Sequence, residues 1–185
     1  MSQYRDNRAV GIFGGRSINV MDDSSLLLAE NIGRVLARRG WAVVTGGDDG
    51  IGGAACRGCS EEGGTTFAVL KESHLENCSD HVDWAVPTSF DLARSVTMNW
   101  MAAGHIALEG GFGTLFESAL ALDTGRPLVI AGDVRYLRID LINSPMCTVL
   151  GPVDTNCAEA VVCELERLIE LDRSTRKAPA TSEWR

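Results

Sequence analysis

Three short apolar runs in this sequence each end in a cluster of glycines. The runs AVGIF, WAVVT and HIAL precede Gly14-Gly15, Gly46-Gly47 and the stretch GGFGT at residues 110–114. Short apolar runs bounded by glycine are typical of buried parallel strands, and a helix-like segment follows each cluster. Strands that alternate with helices predict an α/β domain with a mainly parallel sheet and right-handed crossovers.

The rest of the chain continues this alternation. Helix-start chemistry at Asp22, Asp23 and Ser24 precedes an apolar repeat at helical spacing, which Gly40 ends. A small-residue helix follows the second glycine pair. The other predicted strands are Thr65–Leu70, Asp83–Val86 and Pro127–Ala131, and the other predicted helices are Ile51–Glu62, Phe90–Ala103, Leu115–Thr124 and a final amphipathic helix around Val161–Leu168. Residues 132–152 show no clear pattern.

The predicted architecture is a single Rossmann-like domain, with a parallel sheet and helices on both faces. A length of 185 residues suits one domain with a proper core. We expect a flexible N-terminus at residues 1–8, the domain at 9–172 and a polar tail at 173–185.

Composition excludes several classes of function. A net charge of −8 disfavours a nucleic-acid partner, because a phosphate-rich polymer is repelled on average. No apolar run approaches the ~20 residues that span a bilayer, and the N-terminus has no signal-peptide pattern. The chain is therefore expected to be cytoplasmic, without a membrane partner. Cys56 and Cys59 form a CxxC with no second pair at zinc-site spacing, which favours structural thiols. We expect no metal and no cofactor.

The glycine clusters predict a phosphate site. All carboxyl ends of parallel strands lie on one edge of the sheet, where ligands bind. Glycine exposes backbone N–H groups, and the following helix N-terminus adds partial positive charge. The alternative is a set of plain tight turns, but three clusters on one edge favour a small phosphorylated ligand. The pattern is neither a GxGxxG fingerprint nor a P-loop. The predicted ligand-binding residues are Gly14, Gly15, Arg16, Gly46, Gly47, Gly110, Gly111, Phe112, Gly113 and Thr114.

Two charged residues on this edge are candidates for chemistry. Glu117 follows Thr114 by one helical turn, where a carboxylate can grip ribose hydroxyls or stabilise a developing positive charge on a sugar. It can also simply favour the helix dipole. Arg94 lies early in the preceding helix. Its guanidinium can bind either a phosphate or Glu117 through two parallel hydrogen bonds, or Arg94 can be an ordinary surface residue. Met98 lies four residues after Arg94 and can pack on a flat base, although core packing is its more common use.

These stretches resemble a known family. LARSVTMNWMAAGHIALEGGFGTLFE is similar to the LOG-type proteins, long misannotated as lysine decarboxylases, and to their relatives the molybdenum-cofactor carrier proteins. The LOG signature is an arginine–lysine pair followed by PGGxGTxxE. Arg94 matches its arginine, and Gly110, Gly111, Gly113, Thr114 and Glu117 match the second motif. The likeness covers roughly Val10 to Ala131, including WAVVTGGDDGIGGAACRGCSEEGG and VGIFGG.

The resemblance implies a Rossmann-like domain that is usually a homodimer. LOG enzymes hydrolyse the N-glycosidic bond of cytokinin riboside or adenosine 5′-monophosphates, releasing base and ribose 5-phosphate. By that resemblance Glu117 contacts the ribose and stabilises an oxocarbenium-like transition state, Arg94 orients it, and both count as catalytic. The GGFGT backbone holds the 5′-phosphate. Lysine decarboxylation is not supported, since no lysine stands in a pyridoxal-type context.

The sequence departs from the LOG signature at two positions. Ser95 replaces the lysine, and Glu109 replaces the proline before the glycines. The run ALALDTGRPLVIAG resembles the carrier-type relatives, which bind a pterin phosphate without cleaving it. Two hypotheses therefore stand: a phosphoribohydrolase for a nucleoside 5′-monophosphate, or a carrier for molybdenum cofactor or another phosphorylated heterocycle. A DNA-processing relative is disfavoured by the acidity of the chain.

Overall fold

A computed structural model of the chain describes residues 7–16, 23–134, 137, 143–150 and 153–177. Strands and helices alternate along it. The strands are β1 Ala9–Phe13, β2 Ala42–Thr45, β3 Thr66–Leu70, β4 Trp84–Pro87, β5 Gly104–Ala107, β6 Leu128–Ile130 and β7 Cys147–Val149. The helices are α1 Asp23–Arg38, α2 Ile51–Glu61, α3 Arg94–Met101, α4 Phe112–Asp123 and α5 Ala158–Lys177, with a 3₁₀ turn at Asp91–Ala93 before α3.

The strands form one parallel sheet in the order β4-β3-β2-β1-β5-β6-β7. β1 is central and pairs with β2 on one side, where Val10 faces Val43, and with β5 on the other, where Ile12 faces Ile106. The strand order reverses between β1 and β5. In an open parallel sheet such a reversal creates a crevice outside the carboxyl ends of the strands. The predicted Rossmann-like architecture is confirmed.

Helices cover both faces of the sheet. One core joins the sheet to α1, α2 and α5, with buried residues such as Ile32, Cys56 and Leu165. The opposite core lies under α3 and α4 and includes Phe13 and Met98. Because both faces are covered, the strands are almost entirely apolar, as their sequences indicated.

Element boundaries differ from the sequence predictions at three places. The helix predicted from Phe90 begins as a 3₁₀ turn, because Ser89 and Asp91 have φ of 58° and 46° and interrupt the α-helical path. α4 begins at Phe112, so most of the GGFGT stretch is the first helical turn. β7 lies in the region 132–152, where no element was predicted.

The ends of the chain also bear on the predicted domain limits. α5 continues to Lys177, past the expected boundary at residue 172. Residues 1–6 and 178–185, which make up most of the two predicted terminal segments, lie outside the described part of the chain. No helix in the described part is both long and apolar enough to cross a membrane.

Candidate functional site

A cleft of about 480 Å³ opens at the carboxyl ends of β3, β2, β1 and β5. Its size is within the range of small-molecule sites. The three glycine clusters meet there, because the strands that precede them are neighbours in the sheet. The cleft is lined by Ile12, Gly14, Gly15, Arg16, Gly46, Asp48, Gly52, Lys71, Asp91, Leu92, Arg94, Gly110, Gly111, Phe112, Gly113, Thr114 and Glu117.

The start of α4 presents an open backbone surface to the cleft. A Cβ added at Gly111 or Gly113 would meet no protein atom within 4 Å, although both glycines line the cleft. Their missing side chains therefore leave room for a ligand and not for protein packing. Gly111 is the N-cap residue, and no side chain caps the helix. The first helical hydrogen bond runs from Leu115 N to Gly111 O over 2.9 Å. An uncapped N-terminus facing a cleft is a favourable position for an anion.

Gly110 has a different role from its neighbours. A Cβ there would lie 2.0 Å from Thr114 Oγ1, so this glycine lets the buried threonine pack against the turn. The Gly110 N–H donates to Asp133 O over 3.1 Å, and Gly15 N–H donates to Glu109 O over 2.7 Å. These bonds tie the β5 turn to its neighbours on both sides. Glu109, which stands where the LOG signature has proline, is not among the lining residues, so its negative charge does not line the cleft.

Arg94 reaches into the cleft from α3 although it is buried. Its Nη1 donates to Val69 O over 2.6 Å at the end of β3. The guanidinium lies against the β2 turn, since a Cβ at Gly46 would be 2.3 Å from Nη1. A side chain at position 46 would therefore push this guanidinium out of its present position. With Nη1 held by the backbone, the guanidinium still has donors for an anionic ligand.

Glu117 lies in the floor of the cleft with only 8% of its surface exposed. Burial raises its pKa to about 7, against the opposing effects of the Arg94 charge and a hydrogen bond from Ser95. Ser95 Oγ and Glu117 Oε1 are 3.2 Å apart. Ser95, which replaces the lysine of the LOG signature, is thus the direct hydrogen-bond partner of this carboxyl group. A carboxyl group that titrates near neutrality can serve as proton donor or acceptor.

A second charged pair lies at the mouth of the cleft. Arg16 Nε donates to Asp48 Oδ2 over 3.0 Å and Arg16 Nη2 donates to Asp48 Oδ1 over 3.1 Å. This two-point contact joins the β1 turn to the β2 turn. The carboxylate of Asp48 therefore balances much of the Arg16 charge. Lys71 also lines the cleft, and its Nζ lies 3.4 Å from Glu72 Oε1.

Most of the predicted site residues come together in this cleft, but two do not. Met98 is 1% exposed in the core under α3 and lies 3.8 Å from Arg94 Nη1, so it packs beneath the arginine instead of lining the site. Gly47 has φ of 86°, and a Cβ there would be 2.2 Å from Leu70. Glycine at position 47 is therefore explained by the backbone turn and by the close packing of Leu70. Gly14, Gly15, Arg16, Gly46, Gly110, Gly111, Phe112, Gly113, Thr114, Arg94 and Glu117 all line the cleft.

Sequence reasoning missed three charged lining residues. Asp48 was not among the predicted ligand-binding residues, whereas it lines the cleft and pairs with Arg16. Lys71 was not among them either, although its position directly after the predicted strand Thr65–Leu70 was a signal that it belonged to the ligand edge. Asp91 lines the cleft from a left-handed backbone conformation, which no residue pattern indicated. Within the described residues, no group of three or more His, Cys, Asp or Glu side chains is placed to hold a metal ion.

The chain is similar in fold and sequence to several known proteins. The molybdenum cofactor binding protein of Rippkaea orientalis is 27% identical, with a TM-score of 0.73 over 92% of this chain and 98% of that one. The Moco carrier protein of Chlamydomonas reinhardtii is also 27% identical, with a TM-score of 0.72 over 87% and 98%. An uncharacterised protein of Archaeoglobus fulgidus is 28% identical over 66% of this chain and 83% of its own length. The model of the SLOG cluster4 family matches residues 7–152, and the chain belongs to that family.

Proposed function

We propose that this protein binds a small phosphorylated heterocycle in the cleft and acts as a carrier, with molybdenum cofactor or a related pterin phosphate as cargo. One observation carries the proposal: the uncapped start of α4, with room left at Gly111 and Gly113, faces the same cleft as the Arg94 guanidinium. Backbone donors and a buried cation together suit a phosphate group. The structural similarity to carrier proteins that bind molybdenum cofactor supports this cargo.

The cargo is tested by titrating the protein with molybdenum cofactor released from a molybdoenzyme and with metal-free molybdopterin. Pterin fluorescence or calorimetry would report the affinity. Gly111→Ala should weaken binding at least about tenfold, because its Cβ occupies the space that we assign to phosphate oxygens. Since that Cβ meets no protein atom, the variant should fold normally. Equal affinity of the variant and the wild type would contradict the phosphate position.

A second candidate function is hydrolysis of a nucleoside 5′-monophosphate to free base and ribose 5-phosphate. The buried carboxyl group of Glu117, held by Ser95 and close to Arg94 in the cleft, favours it, because a carboxylate there can stabilise an oxocarbenium-like transition state. Chromatographic detection of adenine released from AMP, with Glu117→Gln alongside, tests this function. Release by the wild type alone would establish hydrolysis. No release from several nucleoside monophosphates would leave the carrier function.

We also propose a homodimer or higher homo-oligomer that forms through α3 and α4. Each helix exposes apolar residues four positions apart, Val96 and Trp100 on α3 and Phe112 and Phe116 on α4. Residues at this spacing share a helix face, and the two helices are neighbours on the same side of the sheet. Phe90 and Leu92 extend the apolar area to the turn before α3. Exposed apolar residues grouped on one side of a domain mark interfaces between proteins.

A further inference from the structure

The cleft extends well beyond the proposed phosphate position. From the Gly110–Thr114 turn it runs along the sheet edge past the ends of β1 and β2 and reaches Lys71, the first residue after β3. Neighbouring strands are about 4.8 Å apart, so three strand-to-strand steps put the Lys71 backbone roughly 14 Å from the turn. A phosphate bound at the turn leaves this far half of the cleft for the ring system of the ligand.

Lys71 is the basic residue of this far half with hydrogen-bonding capacity to spare. Of the three basic side chains that line the cleft in the described residues, Arg16 is held at two points by Asp48, and Arg94 donates to Val69 O and has its remaining donors assigned to the phosphate. Within the described part of the chain, the Lys71 ammonium forms one ion pair, with Glu72 Oε1 at 3.4 Å, and its side chain is 29% exposed. An ammonium group has three donors, so a single carboxylate does not saturate it.

An ammonium group discriminates between heterocycles by their edges. It donates hydrogen bonds and accepts none, so it favours carbonyl oxygens and ring nitrogens and disfavours an exocyclic amino group. Guanine offers two adjacent acceptors, O6 and N7, which lysine binds well, whereas adenine presents an amino group at the position of O6. A pterin with a ring carbonyl resembles guanine in this respect. The position of Lys71 therefore bears on which ring the cleft accepts.

We infer that Lys71 is a specificity-determining residue that reads a carbonyl oxygen at the far end of the ligand. The ligand class is then a phosphorylated oxo-heterocycle of the hypoxanthine, guanine or pterin type, and not an adenine-type nucleotide. This inference rests on the proposed function, because it takes the phosphate position at the α4 N-terminus as its starting point. It also separates the two candidate functions, since the hydrolase hypothesis assigns an adenosine-type substrate.

The experiment compares IMP with AMP, which differ at the ring position that Lys71 is proposed to read, and includes GMP. Calorimetry should give IMP and GMP about tenfold higher affinity than AMP, the effect of one hydrogen bond to a charged group. Lys71→Met should lower the affinity for IMP about tenfold and affect AMP much less. The matched control is Lys177→Met, which removes the only other lysine of the chain, at the end of α5, and should change neither affinity.

Two results would overturn the inference while leaving the proposed function intact. One is equal affinity of the wild type for IMP and AMP. The other is a preference for IMP that survives in Lys71→Met. If none of IMP, GMP and AMP binds, the inference is also overturned, and the carrier function is then decided separately by the titration with molybdopterin. Failure of molybdopterin and all three nucleotides to bind would overturn both.

Discussion

Glu117 is a carboxyl group in a place where water barely reaches it. Burial opposes its ionisation, and the Arg94 charge and the Ser95 hydroxyl only partly offset that effect. The fold therefore accepts a less stable arrangement at this position. Buried groups with perturbed pKa values concentrate at functional sites, which is consistent with either proposed function.

Replacement of this carboxyl group should change how stability depends on pH. The folded protein keeps the Glu117 proton up to about pH 7, whereas the ordinary pKa of a glutamate side chain is 4.5. The stabilising effect of proton binding is present below pH 4.5 and is lost as the pH rises to 7. Glu117→Gln removes this loss. Between pH 4.5 and pH 7, the free energy of unfolding of the variant should therefore rise by about 3 kcal/mol relative to that of the wild type. Urea denaturation at several pH values measures the difference, and a constant difference would contradict the raised pKa.

The Ser95 hydroxyl should be needed to keep the pKa of Glu117 as low as it is. Its hydrogen bond stabilises the ionised carboxylate, so Ser95→Ala should raise the pKa further. Infrared or NMR titration of the carboxyl group measures the shift. The matched control is Ser118→Ala, because the Ser118 hydroxyl is also buried and has no hydrogen-bond partner among the described residues. A shift of the same size in both variants would refute the specific role of Ser95.

At the scale of residues, the sequence predicted the backbone turns of the site better than the positions and partners of its side chains. Glycine clusters after apolar runs are local patterns, and they located the turns at Gly14, Gly46 and Gly110 correctly. Whether Met98 lines a cleft or packs in a core depends on how α3 is rotated, and the sequence does not specify that. The pairing of Arg16 with Asp48 joins two turns that are far apart in the chain, so no local pattern reveals it.

At the scale of elements, α1 and α2 approach each other through glycine. A Cβ at Gly33 of α1 would lie 2.0 Å from Ala55 O, and a Cβ at Gly58 of α2 would lie 1.9 Å from Glu30 O. In both cases the obstacle is helix backbone, which cannot move aside as a flexible side chain can. The two helices are therefore fixed against each other at a distance that only glycine permits. Since α2 begins just after the β2 turn, this packing also helps to place one wall of the cleft.

Alanine at Gly33 should destabilise the protein by about 1–3 kcal/mol, the usual effect of overpacking, despite the better helix propensity of alanine. Urea denaturation measures the change. Gly113→Ala is the control, because it is also a helical glycine but its added methyl group meets open space. That control should leave stability unchanged or raise it by up to about 1 kcal/mol. Equal effects of the two substitutions would show that the α1–α2 contact does not require glycine.

The order of strands and helices could be predicted from the sequence. The residues at which some of them begin depend on features that no local sequence pattern indicates. The strand and helix order of residues 9–131 follows apolar runs and glycine punctuation. The late start of α3 results from the backbone conformation at Ser89 and Asp91, which non-glycine residues rarely adopt. β7 is short and only partly buried at the edge of the sheet, so its sequence lacks the apolar run of a central strand.

At the scale of the whole molecule, the apolar surface on α3 and α4 is a liability unless it is covered. The chain carries a net charge of −8, so two copies repel each other at long range. Apolar contact between the exposed faces can overcome that repulsion at short range. Because Phe112 belongs both to this surface and to the cleft lining, association would take place beside the ligand site.

A charge placed in this surface should separate the proposed oligomer. Val96 is 44% exposed on α3, and Val96→Glu should convert the oligomer to monomers, because a buried unpaired carboxylate is costly at an apolar interface. Analytical ultracentrifugation measures the mass. Leu75→Glu is the control, since Leu75 is 55% exposed in the segment between β3 and β4 and belongs to neither helix of the proposed interface. A wild-type protein that is monomeric at micromolar concentration, or a Val96→Glu oligomer, would refute this interface.

The strand order also governs the sequence of events as the chain leaves the ribosome. β1 can pair with β2 early, but its other neighbour, β5, is synthesised only after β3, β4 and α3. Parallel pairings between distant segments are slow to form, so a nascent chain carries an open edge on its central strand for much of its synthesis. The turn that begins α4 comes after β5. Competence to hold a ligand is therefore acquired late in synthesis, after the open edge of β1 has closed.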